Sequence, residues 1–410
     1  MGLSFDIAKR IAFNRQATFS RFIIRLSIAA TTLSVMAMII TLAFVNGFQQ
    51  TVSGKIFSFW GHIRVQQYEA GKSLIAEETP FTMDSTISQI IVQQPGVIKI
   101  HNFATKSAVI ENKNEIEGVL IKGIDTQYDS TTLEPFMQSG SWISFSDSAY
   151  SKDIIVSSAL ASQLNIVTDD TVKVHFVSSI DDSRTYRKLR VKGIYKTGIE
   201  EYDKLFIMGD IRLIRRINEW RNDQSGGYEV FINDYSNMDT ISKTLTAALP
   251  TAWMSRTIRE VYPNIFDWLD IQDVNRNVIF IVMSAVAIIN LITCLLILML
   301  ERTRMIGILK ALGAGNWLIQ KIFLYHAAVI TATGIGLGAF LGLGICWLQQ
   351  ATGFISLDES AYYVAQAPMK IIWWQVFAVI GGTALVCYAA LLLPSVLVRK
   401  ISPVKAIQFK

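Results

Sequence analysis

Four long apolar runs constrain the fold of this chain more than any other feature of its sequence. They occupy residues 23–46, 278–300, 322–348 and 371–398, and Arg25 is the only formal charge within them. A helix needs about 20 apolar residues to cross roughly 30 Å of hydrocarbon, and each run supplies that length. The composition of the 410 residues, 51% hydrophobic and 17% charged, agrees with a membrane protein. We therefore predict four transmembrane helices.

The lysines and arginines between these runs predict the orientation, because short cytoplasmic segments carry an excess of positive charge. They gather before the first run, between the second and third, and after the fourth, at Lys9, Arg10, Arg15, Arg21, Arg25, Arg302, Arg304, Lys310, Lys321, Arg399, Lys400, Lys405 and Lys410. The loop after the third run holds only Lys370. Both termini and the loop 301–321 are predicted to be cytoplasmic. Their basic face suits anionic membrane lipids and needs no nucleic acid as a partner.

The runs and the charges divide the chain into predicted segments. The first run is too long for a signal peptide and no small-residue cleavage site follows it, so we interpret it as a retained anchor. The segments are a cytoplasmic amphipathic helix (1–22), transmembrane helix 1 (23–48), an outer domain (49–272), transmembrane helix 2 (273–300), a cytoplasmic helix and loop (301–321), transmembrane helix 3 (322–349), an outer loop (350–370), transmembrane helix 4 (371–398) and a cytoplasmic tail (399–410).

The outer domain reads as a mixed α+β fold. Short β-rich runs occur at 61–65, 97–100, 108–110, 119–124, 153–156, 171–176, 189–194 and 229–232. Windows with helical spacing occur at 86–93, 158–164, 210–218 and 239–249. Residues 49–276 hold 24 Lys and Arg against 29 Asp and Glu, a net charge of −5. All three cysteines lie in the spans, so this domain has no disulfide and must be stabilised by its own hydrophobic core.

The motifs that carry common enzyme chemistry are absent from the sequence. There is no Gly-x-x-x-x-Gly-Lys-Ser/Thr phosphate loop, and the four histidines are too scattered for a metal site. Ser402-Pro-Val-Lys405 matches Ser-x-x-Lys, a pattern that is common by chance. We therefore expect no catalysis, no metal and no cofactor bound by this chain, and any energy must come from a partner.

Residues 301–315 carry the dense charge between the second and third runs. Met305, Ile308, Leu309 and Leu312 follow the i, i+3, i+4, i+7 spacing of a one-sided helix. The segment Gly313-Ala-Gly315 is a stop signal, and Asn316 is predicted to cap the next helix. We interpret the segment as a short surface helix, parallel to the membrane, that receives force. The alternative is an ordinary solvated loop between spans.

Two features predict how the spans pack. Gly334, Gly338 and Gly342 have small-x-x-x-small spacing, which lets helix backbones approach closely within the subunit or across a dimer. Asn290 lies in the middle of the second run, where a carboxamide should face a neighbouring helix or a wet cavity. We favour helix packing over substrate contact for Asn290.

Several of these segments together resemble the permease subunits of lipoprotein-releasing ABC transporters (LolC/LolE type), within the MacB/FtsX-like permease group. The resemblance covers the whole chain. The motifs that carry it are Asn46-Gly-Phe48, Gly61-His-Ile63, Ala287-Ile-Ile-Asn290, the segment from Glu301 to Ala314, Leu393-Pro394 and Ile401-Ser-Pro-Val-Lys-Ala406.

The resemblance implies the type VII ABC exporter topology in a bacterial inner membrane, with the outer domain in the periplasm. It implies two permeases, as a homodimer or heterodimer, and two separate ATPase subunits that use ATP and Mg. A triacylated lipoprotein would pass from the outer leaflet to a periplasmic chaperone. The ATPase would contact Glu301, Arg304, Met305, Ile308, Lys310, Leu312, Gly313 and Ala314. By position, the substrate cavity would include Asn46, Phe48, Val274, Val278, Met283 and Asn290.

One hairpin departs from the family pattern. Members that recruit the chaperone carry a projecting hook between strands corresponding to residues 172–194, whereas the connection here, 178–184, is short and has no proline. This subunit is therefore interpreted as the one that binds the lipoprotein. The alternative is a homodimer of this chain that both binds the lipoprotein and recruits the chaperone. Two alternatives stay open: a MacB-like efflux permease that drives a periplasmic adaptor, and an FtsX-like regulator of a cell-wall hydrolase.

Overall fold

The computed structural model describes residues 18–69, 77–146, 149–177 and 184–395. Most of the predicted N-terminal helix, the connection of the 172–194 hairpin and the predicted tail 399–410 lie outside these residues. The chain forms two compact units. The helical unit comprises Met1–Gln49, Leu269–Ser356 and Gln366–Lys410, and the α+β unit comprises Gln50–Trp268 and Leu357–Ala365.

The described residues form twelve α-helices. They are α1 Thr18–Trp60, α2 Ser85–Gln93, α3 Ser158–Gln163, α4 Glu200–Asp203, α5 Ile211–Ile217, α6 Met238–Ala248, α7 Ile258–Val261, α8 Pro263–Glu301, α9 Thr303–Ala311, α10 Asn316–Thr352, α11 Glu359–Tyr362 and α12 Trp373–Ser395. Four of them, α1, α8, α10 and α12, are long and apolar enough to cross a membrane. The four-span fold predicted from the sequence is confirmed.

The helices α1 and α8 extend beyond the predicted spans, because α1 continues to Trp60 and α8 begins at Pro263. Hydropathy marks the part of a helix that is apolar enough for lipid, whereas the helix itself ends only where its backbone hydrogen bonds stop. The polar sequences at 49–60 and 263–272 continue the helical bonding. Neither hydropathy change therefore marks a helix boundary.

Twelve strands are described in the α+β unit. They are β1 Ile63–Gln67, β2 Phe81–Thr82, β3 Val97–Asn112, β4 Glu115–Ile124, β5 Met137–Gly140, β6 Asp153–Ser157, β7 Thr171–Val177, β8 Arg184–Tyr195, β9 Phe206–Asp210, β10 Gln224–Ser225, β11 Gly227–Ile232 and β12 Trp253–Thr257. Ten form one mixed sheet in the order β12-β1-β11-β3-β4-β9-β6-β8-β5, with β7 paired to both β3 and β8. The strands and the helical windows predicted for this domain are confirmed.

The sheet also contains elements that the sequence pattern missed. The strand β9 is buried along its whole length and runs parallel to β4, so it shows no alternation of apolar and polar residues. The predicted strands 97–100 and 108–110 are parts of one long strand, β3. The helices α3 and α5 bring Leu160 and Ile214 to the main core, where they join Ile121, Val156 and Leu189.

The turn from α1 into the sheet explains the Gly61-His-Ile63 motif. Gly61 adopts φ +69°, and its N–H donates to the Phe57 carbonyl. Helices often end in this way, at a residue with left-handed backbone geometry, and glycine is favoured there. His62 N–H then donates to the Val230 carbonyl at 3.0 Å, and Ile63 begins β1 opposite Val230. The chain therefore passes from helix to strand within two residues, Gly61 and His62.

Candidate functional site

The segment between the second and third spans forms the short helix α9, Thr303–Ala311. Its end is a Schellman motif: Gly313 adopts φ +87°, Ala314 N–H donates to the Leu309 carbonyl and Gly313 N–H to the Lys310 carbonyl. The next helix begins with Gly315 as its N-cap, without a side-chain cap. The prediction that Asn316 caps it is wrong, because Asn316 is already the first helical residue.

The apolar residues of α9 divide between two faces. Met305 and Leu309 pack beside buried Ile306 against an interior cluster of the helical unit. Ile308 and Leu312 point outward, with 47% and 80% of their surface exposed. The predicted single face is therefore two, and of its four residues only Ile308 and Leu312 are exposed.

Charged and small residues frame that exposed pair. Glu301, at the end of α8, and Arg304 are exposed, whereas Lys310 is half-buried. Gly313 is exposed at the helix end, and Ala314 packs against the interior cluster. An exposed Leu and Ile one helical turn apart, with the exposed Arg304 one turn before Ile308, form a small surface that suits the groove of another protein.

The three glycines of the small-x-x-x-small pattern face α1. A Cβ built on Gly334 would lie 2.7 Å from Thr31 Cβ, and one on Gly338 would lie 2.7 Å from the Thr32 carbonyl oxygen. One on Gly342 would lie 3.3 Å from Ile39 Cβ. The first and third spans therefore approach closely within one subunit along this face. Of the two packing modes left open above, the structure shows the one within the subunit.

We expect Gly338→Leu to lower the melting temperature of the full-length protein in mild detergent. The new side chain meets backbone and Val35 Cβ at 2.8 Å, and overpacking of this kind costs about 1–3 kcal/mol. Gly336→Leu is the matched control, because a Cβ on Gly336 has no atom within 4 Å and the same helix loses a glycine. Equal melting temperatures for the two variants would contradict the close contact.

The six residues predicted for the substrate cavity lie in different surroundings. Val274 and Val278 are exposed on α8, with 60% and 52% of their surface accessible. Phe48 is buried and stacks on Phe44 with ring centroids 5.5 Å apart. Met283 packs against a cluster formed with α1. The structure does not bring these side chains together.

The two asparagines of that set each contact another span. Asn46 Nδ2 donates to Gln375 Oε1 at 2.5 Å, which links α1 to α12. Asn290 Nδ2 donates to the Ser27 carbonyl, and Ser27 Oγ donates to Asn290 Oδ1, both at 3.4 Å. Each carboxamide therefore has a partner on a neighbouring helix.

The glycine of Asn46-Gly-Phe48 allows a close crossing. A Cβ on Gly47 would lie 2.3 Å from the Pro368 carbonyl oxygen, and the N–H of Lys370 donates to the Ala43 carbonyl at 2.8 Å. The chain before α12 therefore runs directly against the backbone of α1. No side chain larger than hydrogen fits at position 47 without a shift of that segment.

A cavity of about 440 Å³ lies among α1, α8 and α12 of the helical unit. Its apolar wall includes Met38, Leu42, Phe280 and Val379. Polar side chains contribute at Arg276, Asn277, Gln375 and Thr383. None of the six predicted cavity residues is among its lining residues. The only sequence signal for this cavity is weak: the single polar residue Gln375 near the beginning of α12.

A buried ion pair lies where α1 meets the sheet of the α+β unit. Lys122 Nζ lies 2.7 Å from Glu229 Oε1, and both side chains are fully buried. The ammonium also donates to the Phe59 carbonyl and lies 4.7 Å from the Trp60 ring centre. Burial lowers the pKa of Lys122 and raises the pKa of Glu229, because both charged forms lose hydration. This pair fixes the last residues of α1 against β4 and β11.

The loop segment Leu357–Ala365 belongs to the α+β unit and is held there by Glu359. Its carboxylate pairs with Lys196 and lies 3.9 Å from Lys55, whose ammonium donates to the Tyr363 carbonyl at 2.7 Å. No pattern in the sequence predicts this clamp of Glu359, Lys55 and Lys196, because it joins residues that are far apart in the chain.

The part of the chain that the structure describes holds no group of three or more His, Cys, Asp or Glu side chains placed to bind a metal ion.

Two family models match the sequence. The model described as MacB-like periplasmic core domain matches residues 26–248, which is more than half of the 410 residues. The model described as FtsX-like permease C-terminal matches residues 277–403. The chain belongs to the MacB/FtsX-like permease family. The first match ends within the α+β unit, and the second contains the exposed pair of α9.

Curated relatives of this permease resemble it over almost its whole length. The lipoprotein-releasing system transmembrane protein LolC of Neisseria meningitidis serogroup B is 22% identical and covers 96% of this permease and 95% of its own length. LolE of Haemophilus influenzae, with the same description, is 21% identical over 94% of each chain. The periplasmic region of MacB from Actinobacillus actinomycetemcomitans aligns with a TM-score of 0.33 and 11% identity, over 50% of this permease and 91% of that structure.

Proposed function

We propose that this chain is the permease subunit of an ATP-driven transporter that releases lipoproteins from the membrane. The full-length likeness to LolC and LolE carries the proposal, because it includes the spans, the α+β unit and the loop between spans two and three. A protein that only transmitted motion to an adaptor or a hydrolase would need no close match to lipoprotein-releasing relatives across all of these parts.

The helix α9 supports a mechanical role for the chain. We assign the ATPase contact to the exposed pair Ile308 and Leu312 with Arg304 beside it. The inner face of the same helix packs on the spans through Ile306, Met305 and Leu309. A push on the outer face is therefore passed to the spans through well-packed side chains, which deform little.

Energy and partners follow from this assignment. ATP and Mg would bind to a separate ATPase chain, two per complex, while this chain supplies no catalytic group and no cofactor site. A second permease, identical or different, completes the membrane part. Extraction needs coupled energy, because an acyl chain gains about 0.8 kcal/mol for each buried methylene and a triacylated anchor carries many.

The orientation belongs to the proposal as well. With α9 and both termini in the cytoplasm, the α+β unit lies on the periplasmic side of a bacterial inner membrane. There it can contact the protein part of the lipoprotein. The substrate's acyl chains would contact the exposed apolar stripe on α8, which includes Val274 and Val278. The released lipoprotein would pass to a periplasmic chaperone, recruited by this subunit or by the second permease.

Purification from the native membrane in mild detergent tests the proposal. We expect mass spectrometry to find an ATPase subunit and triacylated lipoproteins that co-elute with the tagged chain. Addition of ATP and Mg with the chaperone should then release the lipoproteins. An ATPase that co-elutes with an adaptor or a murein hydrolase, without lipoprotein, would overturn the proposal in favour of a mechanical role.

A further inference from the structure

The cavity among α1, α8 and α12 is shaped for one hydrocarbon chain. Its lining residues on α12 run from Trp374 to Val386, a rise of about 18 Å at 1.5 Å per residue. One leaflet of the bilayer has about half of the 30 Å hydrocarbon thickness, which is a similar length. The volume of about 440 Å³ lies within the range of small-molecule sites. This cavity, called the groove below, therefore matches the length of an acyl chain that stays within one leaflet.

Polar groups gather near one end of this groove, and the wall beyond them is mostly apolar. Arg276 and Asn277 from α8 and Gln375 from α12 contribute to the lining there. Arg276 Nη1 lies 2.9 Å from Asp273 Oδ1, so a cation and an anion stand side by side. Guanidinium has five donor hydrogens, and one ion pair leaves others for a phosphate. Trp374, 69% exposed, stands beside them, as aromatic residues do at the lipid headgroup level.

We propose that this groove binds a membrane phospholipid, with one acyl chain between the three spans and the headgroup phosphate at Arg276. The neighbouring Asp273 carboxylate favours a headgroup that carries an amine next to the phosphate, as in phosphatidylethanolamine. The three walls all come from one chain, so the site needs no second permease. None of the six residues of the predicted substrate cavity lines it, although Asn46 donates a hydrogen bond to the lining residue Gln375.

A matched pair of glycines makes the groove testable. Gly382 lines it, and a Cβ on Gly382 has no atom within 4 Å, so a larger side chain at this position starts in open space. Gly381 is equally open but is not a lining residue. The full chain with its partners is purified, washed in lipid-free detergent and analysed for bound phospholipid and bound lipoprotein per chain.

We expect Gly382→Leu to retain about tenfold less phosphatidylethanolamine than the wild type, a change worth about 1.4 kcal/mol. Gly381→Leu should retain as much as the wild type, and the melting temperature shows that both variants are folded. Equal retention by the two variants overturns the site. A loss of bound lipoprotein, with phospholipid unchanged, overturns the choice of occupant and assigns the groove to the substrate.

A second variant, Arg276→Gln, tests the position of the headgroup without placing a larger side chain in the groove. Wild-type protein should retain palmitoyl-oleoyl phosphatidylethanolamine over a diacylglycerol with the same acyl chains. Arg276→Gln should remove that preference while the acyl chains still bind. A variant that still prefers the phospholipid overturns the role of Arg276.

Discussion

Leu312→Asp is expected to uncouple lipoprotein release from ATP hydrolysis while the protein still folds and inserts. Leu312 is 80% exposed and Ile308, one turn away, is 47% exposed, so both side chains are free to enter an apolar groove on the ATPase. A carboxylate in that contact would be buried without a partner, at a cost of several kcal/mol. We expect release per ATP hydrolysed to fall at least about tenfold, the effect of 1.4 kcal/mol. Reconstituted complex in proteoliposomes, with lipoprotein transfer and phosphate production measured together, gives this ratio.

Leu312→Met is the matched control for that experiment, because it keeps an apolar side chain of similar volume at the same exposed position. It should couple as the wild type does, and Ile308→Asp should behave like Leu312→Asp. Normal coupling in both aspartate variants would mean that α9 does not transmit force. A lower melting temperature would instead show that the exposed face supports the fold.

Lys122→Met is expected to have the largest effect on stability. Lys122 and Glu229 are fully buried 2.7 Å apart, so removal of the lysine leaves a carboxylate without its counter-ion in the protein interior. Breaking a buried pair in this way costs about 3–5 kcal/mol. The melting temperature of the full-length protein in detergent should fall by many degrees, and the protease resistance of the α+β unit should fall with it.

The double variant Lys122→Met, Glu229→Leu separates the pair from the fold around it. With both charges removed, no carboxylate is left in this position without its counter-ion, so most of the lost stability should return. Lys204→Met is the surface control, because Lys204 pairs with Glu200 while both are more than half exposed, and such pairs contribute at most about 1 kcal/mol. A double variant as unstable as Lys122→Met would show that the lysine contacts to Phe59 and Trp60 matter more than its charge.

The sequence predicted those elements that carry a local signal. Apolar runs predict the four spans because a helix that crosses lipid needs about 20 consecutive residues that are predominantly apolar. The strands with alternating residues and the amphipathic helices of the α+β unit are found for the same reason, since one face of each is buried. The strand β9 was missed, because its sequence Phe-Ile-Met-Gly-Asp has only one β-branched residue, whereas the equally buried strand β6, which was predicted, has three.

The candidate site shows the same division. The spacing of Met305, Ile308, Leu309 and Leu312 predicts a helix there, but not which residues turn outward. That depends on how α9 packs against the spans, which bury Ile306 and hold Met305 and Leu309. The glycine spacing likewise predicts a close contact, while its partner, α1, is fixed by the fold.

By itself the sequence determined the membrane class, the number of spans and the short helix between spans two and three, because these depend on the composition and spacing of neighbouring residues. Only the tertiary structure decided the pair Lys122 and Glu229, the clamp at Glu359 and the groove among α1, α8 and α12. Each of these joins residues that are far apart in the chain. Their contacts arise from packing in three dimensions, and no local pattern in one sequence records them.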